Sequence, residues 1–276
     1  MSNINNNSCV VTFLYPKSEK FIKQFVNCLE EQTFKKFDIL FFCDKFNFNK
    51  LKLKTNLKYK YYNLKGSISE IRQKSLKKIK KLKYKKIFFC DVDDLYKNNR
   101  IKVLNDLLNK NNIVFNDINC LTKQKKIIKE NFFSNFFKNN EKINYKSLLN
   151  QNFLGFSNTA LKINILKKSK FLNSKKKINI FDWYFWSKVL KKDRACFTNK
   201  TKTYYKCSLK SYTYLPAKIS TNYLLNSVFV KYYFYRTMKN DDKIYNKMYI
   251  NYSNLYGNKI KLNKLVIKTL INKKNK

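Results

Sequence analysis

The chain has 276 residues, of which 44% are hydrophobic and 17% aromatic, and this composition excludes a disordered protein. Its 60 Lys and Arg against 17 Asp and Glu give a formal net charge of +43. The chain contains no histidine, which excludes Ser-His-Asp and Cys-His nucleophile systems and every histidine metal site. Acid–base and metal chemistry must therefore fall to carboxylates.

The positive charge has two explanations. Lysine is abundant together with asparagine, isoleucine, phenylalanine and tyrosine, whereas there are three glycines and two prolines, as AT-rich codons would produce across a proteome. We therefore interpret much of the charge as compositional background and expect no nucleic-acid partner. The alternative, contact with anionic phospholipid head groups or phosphate-bearing ligands, stays open.

The seven cysteines are scattered without a Cys-x-x-Cys pair, and Cys9, Cys43 and Cys90 lie in apolar runs. This pattern predicts buried, reduced thiols, as in a cytosolic protein. Residues 1–8 lack a basic segment followed by an apolar one, and no run approaches the ~18 apolar residues of a membrane span. We expect a cytoplasmic location.

The first third of the sequence alternates apolar runs with amphipathic segments. The predicted strands are residues 9–15, 37–43, 86–90 and 113–116. Helices are expected after Ser18, after Ser67, where Ser67-Ile-Ser-Glu70 has capping-box spacing, and from Asn98. Strands that are apolar on both faces and are joined by helices predict a parallel sheet covered on both sides.

The pattern is less regular after residue 120. Residues 121–150 predict a hairpin or loop, and helices are predicted at Asn158–Lys168 and Ile180–Lys191. The tail from about residue 220 reads as basic, tyrosine-rich helical segments. No internal repeat and no Pro/Gly/Ser-rich linker divides the chain.

Three of the 17 acidic residues fall within four positions, Asp91, Asp93 and Asp94, directly after a predicted strand. Clustered carboxylates repel one another unless a cation joins them, and all-oxygen sites favour Mg²⁺ or Mn²⁺. Asp44 also follows a strand, and ligands bind outside the carboxyl ends of parallel strands. The sequence therefore predicts a metal-nucleotide site, with a solvated, helix-capping turn as the alternative. A calcium loop is excluded because the required glycine and glutamate are missing.

The run Asp91-Val-Asp93-Asp94 resembles the DxD motif of family 2 glycosyltransferases of the GT-A fold, which often reads D-x-D-D before a short loop and a helix. Four further segments resemble that family in the same order along the chain, from about residue 9 to residue 210. They are Gln32-Thr33 followed by a strand ending at Asp44, Gly66–Arg72, the acceptor-side segment Asn152–Thr159, and Phe181-Asp182-Trp183, which is similar to the family's E-D-W site.

The resemblance implies an inverting, metal-dependent transfer of a sugar from a nucleotide-sugar, with a UDP-sugar as the expected donor. Asp44, Arg72 and Asp91 would contact the donor. Asp93 would hold Mn²⁺ or Mg²⁺, and Asp94 would be a second ligand or a loop cap. Asp182 would be the general base. A glycan or lipid-linked acceptor is implied, as in surface polysaccharide synthesis.

The expected architecture is an α/β, GT-A-like, mostly parallel sheet flanked by helices, with a mainly helical C-terminal extension. Residues 8–120 would form the nucleotide-sugar half of a domain spanning 8–220, and residues 121–220 the acceptor half. The extension, residues 221–276, would contact the anionic inner face of the membrane peripherally.

The sequence departs from the family at three places. Cys43-Asp44-Lys45-Phe46 stands where the family usually has D-D-G-S, so one acidic position is lost. Phe181 replaces an acid. No histidine follows near residues 204–208, where many relatives place a further metal or diphosphate contact.

Other functions remain open from the residues alone. Asp91 and Asp93 are similar to the nucleophile loop of haloacid-dehalogenase-like phosphatases, although Leu95 stands where threonine or valine is usual. The charge of +43 and twenty tyrosines would suit a nucleic-acid-binding protein. Asp182 could serve only the start of a helix, Arg72 a solvated helix face, and Asp44 the end of a strand.

Overall fold

The computed structural model describes residues 6–16, 18–44, 46, 48, 53–122, 126–173, 178, 180–206 and 221–257. Two compact units make up the chain, Met1–Ser208 and Leu209–Lys276. The first contains a sheet and its helices. The described part of the second is helical, which confirms the predicted helical C-terminal part.

One mixed sheet organises the described part of the first unit. Its strands are β1 Ser8–Leu14, β2 Asp38–Asp44, β3 Tyr59–Leu64, β4 Lys86–Phe89, β5 Leu95–Tyr96, β6 Ile113–Leu121, β7 Ile127–Lys129, β8 Lys142–Ile143, β9 Thr159–Lys162 and β10 Ala195–Lys206. The order is β3-β2-β1-β4-β9-β6-β10-β5, with β7 beside β6 and β8 beside β10. The pairs β1–β2, β1–β4, β2–β3 and β6–β10 are parallel, whereas β9 runs antiparallel to both its neighbours.

The helices are α1 Glu19–Glu30, α2 Ile68–Ile79, α3 Arg100–Lys110, α4 Ile163–Lys168, α5 Phe181–Val189, α6 Thr221–Met238 and α7, residues 243–257. Helices α1 to α5 lie between strands in chain order, and α6 and α7 follow β10. Short 3₁₀ turns cover Phe133–Asn135, Tyr145–Leu148 and Lys170–Asn173. The predicted capping box is confirmed, because Ser67 accepts a hydrogen bond from the Glu70 amide and Glu70 accepts one from the Ser67 amide.

Both faces of the sheet are covered. Consecutive residues of a strand point to opposite faces, so two neighbours on β4 show what packs on each side. Phe88 is buried in the same cluster as the apolar faces of α1 and α3. Its neighbour Phe89 meets Phe156 and Trp186 of α5, with ring centroids 4.8 Å and 6.2 Å away. This two-sided burial is why the strands are apolar throughout, as the sequence predicted.

The predicted helix over Asn158–Lys168 is partly wrong. Its first half is the strand β9, and only Ile163–Lys168 is helical. Ala160 and Leu161 are fully buried between β4 and β6, so pairing on both sides outweighs the local preference. A short apolar run does not distinguish a buried strand from a helix.

Two local details also differ from the sequence prediction. Ser18 precedes α1, but its hydroxyl accepts a hydrogen bond from the Tyr15 amide (3.2 Å) and does not cap the helix. Strand β3 was not predicted, because its sequence, Tyr-Lys-Tyr-Tyr-Asn-Leu, is not a continuous apolar run like those of the predicted strands. It lies at the edge of the sheet, where residues alternate between exposed and half-buried.

The six described cysteines are buried free thiols, as predicted, while Cys207 lies outside the described residues. Within the described ranges, no helix combines the length and the hydropathy that a membrane span requires.

Candidate active site

The acidic run follows β4 at the edge of the sheet where the parallel strands β1, β2 and β4 end. The Asp94 amide donates a hydrogen bond to the Asp91 carbonyl (3.2 Å), which closes a tight turn. Val92, between the two aspartates of the DxD run, is buried in the core beneath α1 and α3. An apolar anchor therefore holds the turn, and Asp91 and Asp93 remain partly exposed on either side of it.

Asp94 faces the protein interior and is 2% exposed. One carboxylate oxygen accepts a hydrogen bond from the Ser157 hydroxyl, and the other accepts one from the Lys206 amide (2.8 Å). Burial, together with the charges of Asp93 and Asp91, raises the pKa of Asp94 well above its usual value. Asp94 thus joins the acidic turn to the loop at Ser157 and to the end of β10.

Asp93 receives a hydrogen bond from the phenol of Tyr15, which donates to its Oδ2 at 3.3 Å. Tyr15 directly follows β1, so this contact links the ends of two neighbouring parallel strands. Burial and the adjacent Asp93 carboxylate raise the pKa of Tyr15, which keeps the phenol protonated and able to donate.

Arg72, on α2, places its guanidinium 3.8 Å from a carboxylate oxygen of Asp91. The same group lies over the rings of Phe13 and Phe156, 5.5 Å and 5.0 Å from their centroids. Its Nε is buried and, in the described part of the chain, has no hydrogen-bond partner. The alternative interpretation of Arg72, a solvated helix face, is therefore wrong, because its guanidinium lies beside Asp91.

Asp91 has an unusual protonation equilibrium. Burial raises its pKa to about 6, the Arg72 guanidinium opposes this rise, and the charges of Asp93 and Asp182 add to it. The influence of Asp182 shows that this carboxylate lies within electrostatic reach of the acidic turn, although the two are 91 residues apart in the sequence.

Asp182 lies partly exposed in the first turn of α5. Its Oδ1 accepts a hydrogen bond from the Trp183 amide (2.9 Å), and its charge suits the positive end of the helix dipole. Trp183 is buried and donates from its indole to the Leu148 carbonyl (2.7 Å). Asp182 is therefore held by its own helix, within Coulomb range of Asp91.

Asp44 ends β2 at the same edge of the sheet. Its Oδ1 is buried without a hydrogen-bond partner among the described residues, and the same is true of the Thr12 hydroxyl on the adjacent β1. A buried, unpaired oxygen costs about 1–3 kcal/mol, so such atoms mark places where a ligand would be stabilising.

Arg100, which the sequence pattern did not single out, is fully buried and supports the turn. Its Nε donates to Asn116 Oδ1 (2.8 Å), its Nη1 to the Cys90 thiol (3.1 Å), and its Nη2 to the Phe89 and Ser157 carbonyls (both 3.1 Å). Only four of the 60 basic residues are arginines. That scarcity is the signal that could have singled it out, since arginine alone offers five donors in a planar fork.

Replacing Arg100 with glutamine is expected to lower the free energy of unfolding by about 3 kcal/mol or more, because several buried acceptors lose their donor at once. Arg194→Gln, the same change at an exposed site, should shift it by no more than about 0.5 kcal/mol. Urea denaturation of both variants measures the difference. Equal midpoints would contradict the supporting role of Arg100.

The acidic turn also bears on metal binding. Over the described residues, no three Asp, Glu or Cys side chains are arranged to hold a metal ion together. Mg²⁺ and related cations usually keep water and bind through one or two carboxylates plus substrate phosphates. Asp93, with Asp91 beside it, offers that smaller set of oxygens, so the residues fit a divalent cation that arrives with a phosphate ligand.

Several solved structures have an architecture similar to that of this chain. No protein-family model and no curated protein matches the sequence. Among solved structures, S. aureus TarS 1-349 with UDP-GlcNAc is 14% identical with a TM-score of 0.58, over 82% of this chain and 65% of that chain. The same protein with UDP is 15% identical with a TM-score of 0.59, over 90% and 71%.

A third structure, GalNAc-T7 with UDP, GalNAc and Mn²⁺, is 13% identical with a TM-score of 0.54, over 81% of this chain and 47% of that chain. The chain therefore spans about two thirds or less of most of these proteins' lengths. Likeness at this level of identity concerns architecture. It confirms the predicted fold: this chain has a GT-A-like glycosyltransferase fold.

Proposed function

We propose that this chain transfers a sugar from a nucleotide-sugar donor to an acceptor hydroxyl. The observation that carries the proposal is Arg72, held over two aromatic rings beside Asp91 with a buried, unpaired Nε at the carboxyl ends of the parallel strands. A diphosphate group would supply the missing acceptor. The fold, shared with proteins solved with UDP and UDP-GlcNAc, supports the same proposal.

Each residue then has a role. Arg72 would stabilise the negative charge that grows on the diphosphate as the glycosidic bond breaks. Asp93, with Asp91, would hold Mn²⁺ or Mg²⁺, which when bound neutralises part of that charge. The sequence predicts either a second metal ligand or a loop cap at Asp94. We assign the loop cap, because both oxygens of Asp94 already accept hydrogen bonds. Asp44 would contact the base or ribose of the donor.

Asp182 would act as the general base. A partly exposed carboxylate within Coulomb range of the acidic turn can take the proton from an acceptor hydroxyl as that oxygen attacks the anomeric carbon. The attack and the departure of the diphosphate then form a single displacement. The proposed reaction therefore inverts the configuration at the anomeric carbon.

Two further parts of the proposal rest on sequence alone. The acceptor would be a glycan or lipid-linked saccharide, as in surface polysaccharide synthesis, by a family 2 enzyme. The basic residues 221–276 would bring the enzyme to the anionic, cytoplasmic face of a membrane. Liposome flotation that does not change when residues 221–276 are deleted would contradict the membrane contact.

The phosphatase and nucleic-acid alternatives have less support. In the phosphatase mechanism, one aspartate must be free to attack phosphorus, whereas Asp91 lies against Arg72 and Asp93 against Tyr15. A nucleic-acid surface needs concentrated positive charge, whereas Arg72 lies beside Asp91 at this edge of the sheet and the same turn also carries Asp93 and Asp94. Both features favour binding of a metal-diphosphate group.

A thermal-shift measurement tests the donor site. With Mn²⁺ present, UDP-GlcNAc or another UDP-sugar at about 100 times its Kd should stabilise the fold by about 2.7 kcal/mol, which raises the melting temperature by several degrees. Chelating the metal should remove most of the shift, because the charge of the diphosphate would then face Asp91 and Asp93 directly. If no UDP-sugar shifts the melting temperature with Mn²⁺ or Mg²⁺, the proposed donor site is wrong.

A further inference from the structure

A cavity of about 500 Å³ lies at the opposite edge of the sheet from the acidic turn. It sits at the amino ends of two parallel strands, since Asn112 directly precedes β6 and Arg194 directly precedes β10. Eleven residues line it, of which five are basic and one is acidic: Lys110, Lys142, Lys191, Lys192, Arg194 and Asp193.

The register of the sheet separates this cavity from the proposed donor site. Ile113, the first residue of β6, and Ile87 of β4 both pair with Leu161, so they lie at the same level of the sheet. Asp91 is four residues beyond Ile87, roughly 13 Å further along the strand at about 3.3 Å per residue. The basic cavity begins on the other side of that level. A ligand there would not occupy the donor site.

The cavity carries a net positive charge. Its one carboxylate, Asp193, accepts a hydrogen bond from the side-chain amide of Asn112 (3.0 Å). Helices α3 and α5 both end beside the cavity, and each contributes roughly −0.5 charge from its carbonyl end. The five basic side chains, the one carboxylate and the two helix ends together leave a net charge of roughly +3 around the cavity. An anion with two or more negative charges would balance it.

Compositional background does not account for this cluster. Basic residues are 60 of 276 in the chain but five of the eleven that line the cavity. One of them, Arg194, is among only four arginines. The planar guanidinium offers two parallel N–H donors to two phosphate oxygens, a fixed geometry that an ammonium group lacks. The Nζ of Lys191 lies 5.8 Å from the centroid of the Tyr145 ring.

We propose that this cavity binds a small molecule that carries a diphosphate or triphosphate group. Its volume falls in the range of roughly 300–1,000 Å³ that is usual for small-molecule sites. Inorganic polyphosphates and nucleotides share this chemistry, and either would find several cations and a guanidinium around one concave surface. The proposal does not depend on glycosyl transfer, because none of the cavity residues belongs to the donor site.

Isothermal titration calorimetry of the full chain with inorganic pyrophosphate, in EDTA to remove divalent metals, tests the proposal. The double variant Lys142→Gln/Arg194→Gln should weaken binding by about tenfold or more, since each change removes a charge-assisted contact. Lys81→Gln/Lys83→Gln, at two exposed lysines away from the cavity, removes the same charge and should leave the Kd within about twofold. Asp93→Asn should also bind as the unmodified chain does.

Three outcomes would overturn the proposal. They are no measurable binding of pyrophosphate, equal weakening in both double variants, and tighter binding by Asp93→Asn, because a metal-free anion at the acidic turn would lose a repelling carboxylate there. A second titration with a nucleoside triphosphate distinguishes the sources. Tighter binding than pyrophosphate, lost in the cavity variant, supports a nucleotide, and similar affinity supports an inorganic polyphosphate.

Discussion

Asp182→Asn is expected to lower kcat by about 10²–10⁴-fold while donor affinity stays within about twofold. An asparagine cannot accept a proton from the acceptor hydroxyl, and general base catalysis contributes a factor of this size. The amide oxygen of asparagine can still accept the hydrogen bond that the Trp183 amide now gives to Asp182. The start of α5 should therefore remain intact.

Product formation under saturating donor and acceptor, together with the melting temperature, measures this prediction. A variant that loses activity and several degrees of melting temperature would indicate that Asp182 serves mainly the helix. Full activity in a stable variant would exclude it as the base. Hydrolysis of the donor by water offers a second readout, because a lost base should slow attack by any hydroxyl nucleophile.

Asp93→Asn should reduce transfer by about 10²–10³-fold and abolish the metal-dependent part of the thermal shift produced by the donor. The physical reason is that a neutral amide binds Mn²⁺ or Mg²⁺ far more weakly than a carboxylate, and the charge on the leaving diphosphate then loses its partner. Asparagine can still accept the hydrogen bond from Tyr15, so the fold should keep its stability.

Asp106→Asn is the matched control for this variant. Asp106 is exposed on α3, where it pairs with Lys102 one helical turn away, and it lies outside the proposed donor site. It should keep full activity and an unchanged thermal shift, since an exposed pair of this kind contributes little. If Asp93→Asn behaves like Asp106→Asn, Asp93 does not hold the metal.

Much of the fold could be predicted from local pattern. The alternation of apolar runs and amphipathic segments predicted four strands that the structure contains, and the capping box at Ser67 located the start of α2. Local sequence patterns failed to predict secondary structure where strand pairing determines it. The segment at Thr159–Lys162 is a strand because β4 and β6 bury it from both sides, and its own sequence does not encode those neighbours.

The candidate site, too, could be predicted only in part. The sequence located Asp44, Asp91 and Asp93 at the ends of strands, because the aspartates follow apolar runs directly. It could not tell which of three adjacent carboxylates turns inward. Asp94 does so because Ser157 and Lys206, 63 and 112 residues away in the chain, meet its two oxygens. Contacts over such separations depend on the assembled sheet.

By itself, the sequence excluded histidine chemistry and determined an α/β architecture and an acidic run after a buried strand. These features follow from composition and from neighbours within a few residues. The tertiary structure decided the rest: Arg72 beside Asp91, Tyr15 on Asp93, Arg100 beneath the turn, and the basic cavity at the far edge of the sheet. Each of these joins distant parts of the chain, and only a folded sheet brings them within hydrogen-bonding or Coulomb range.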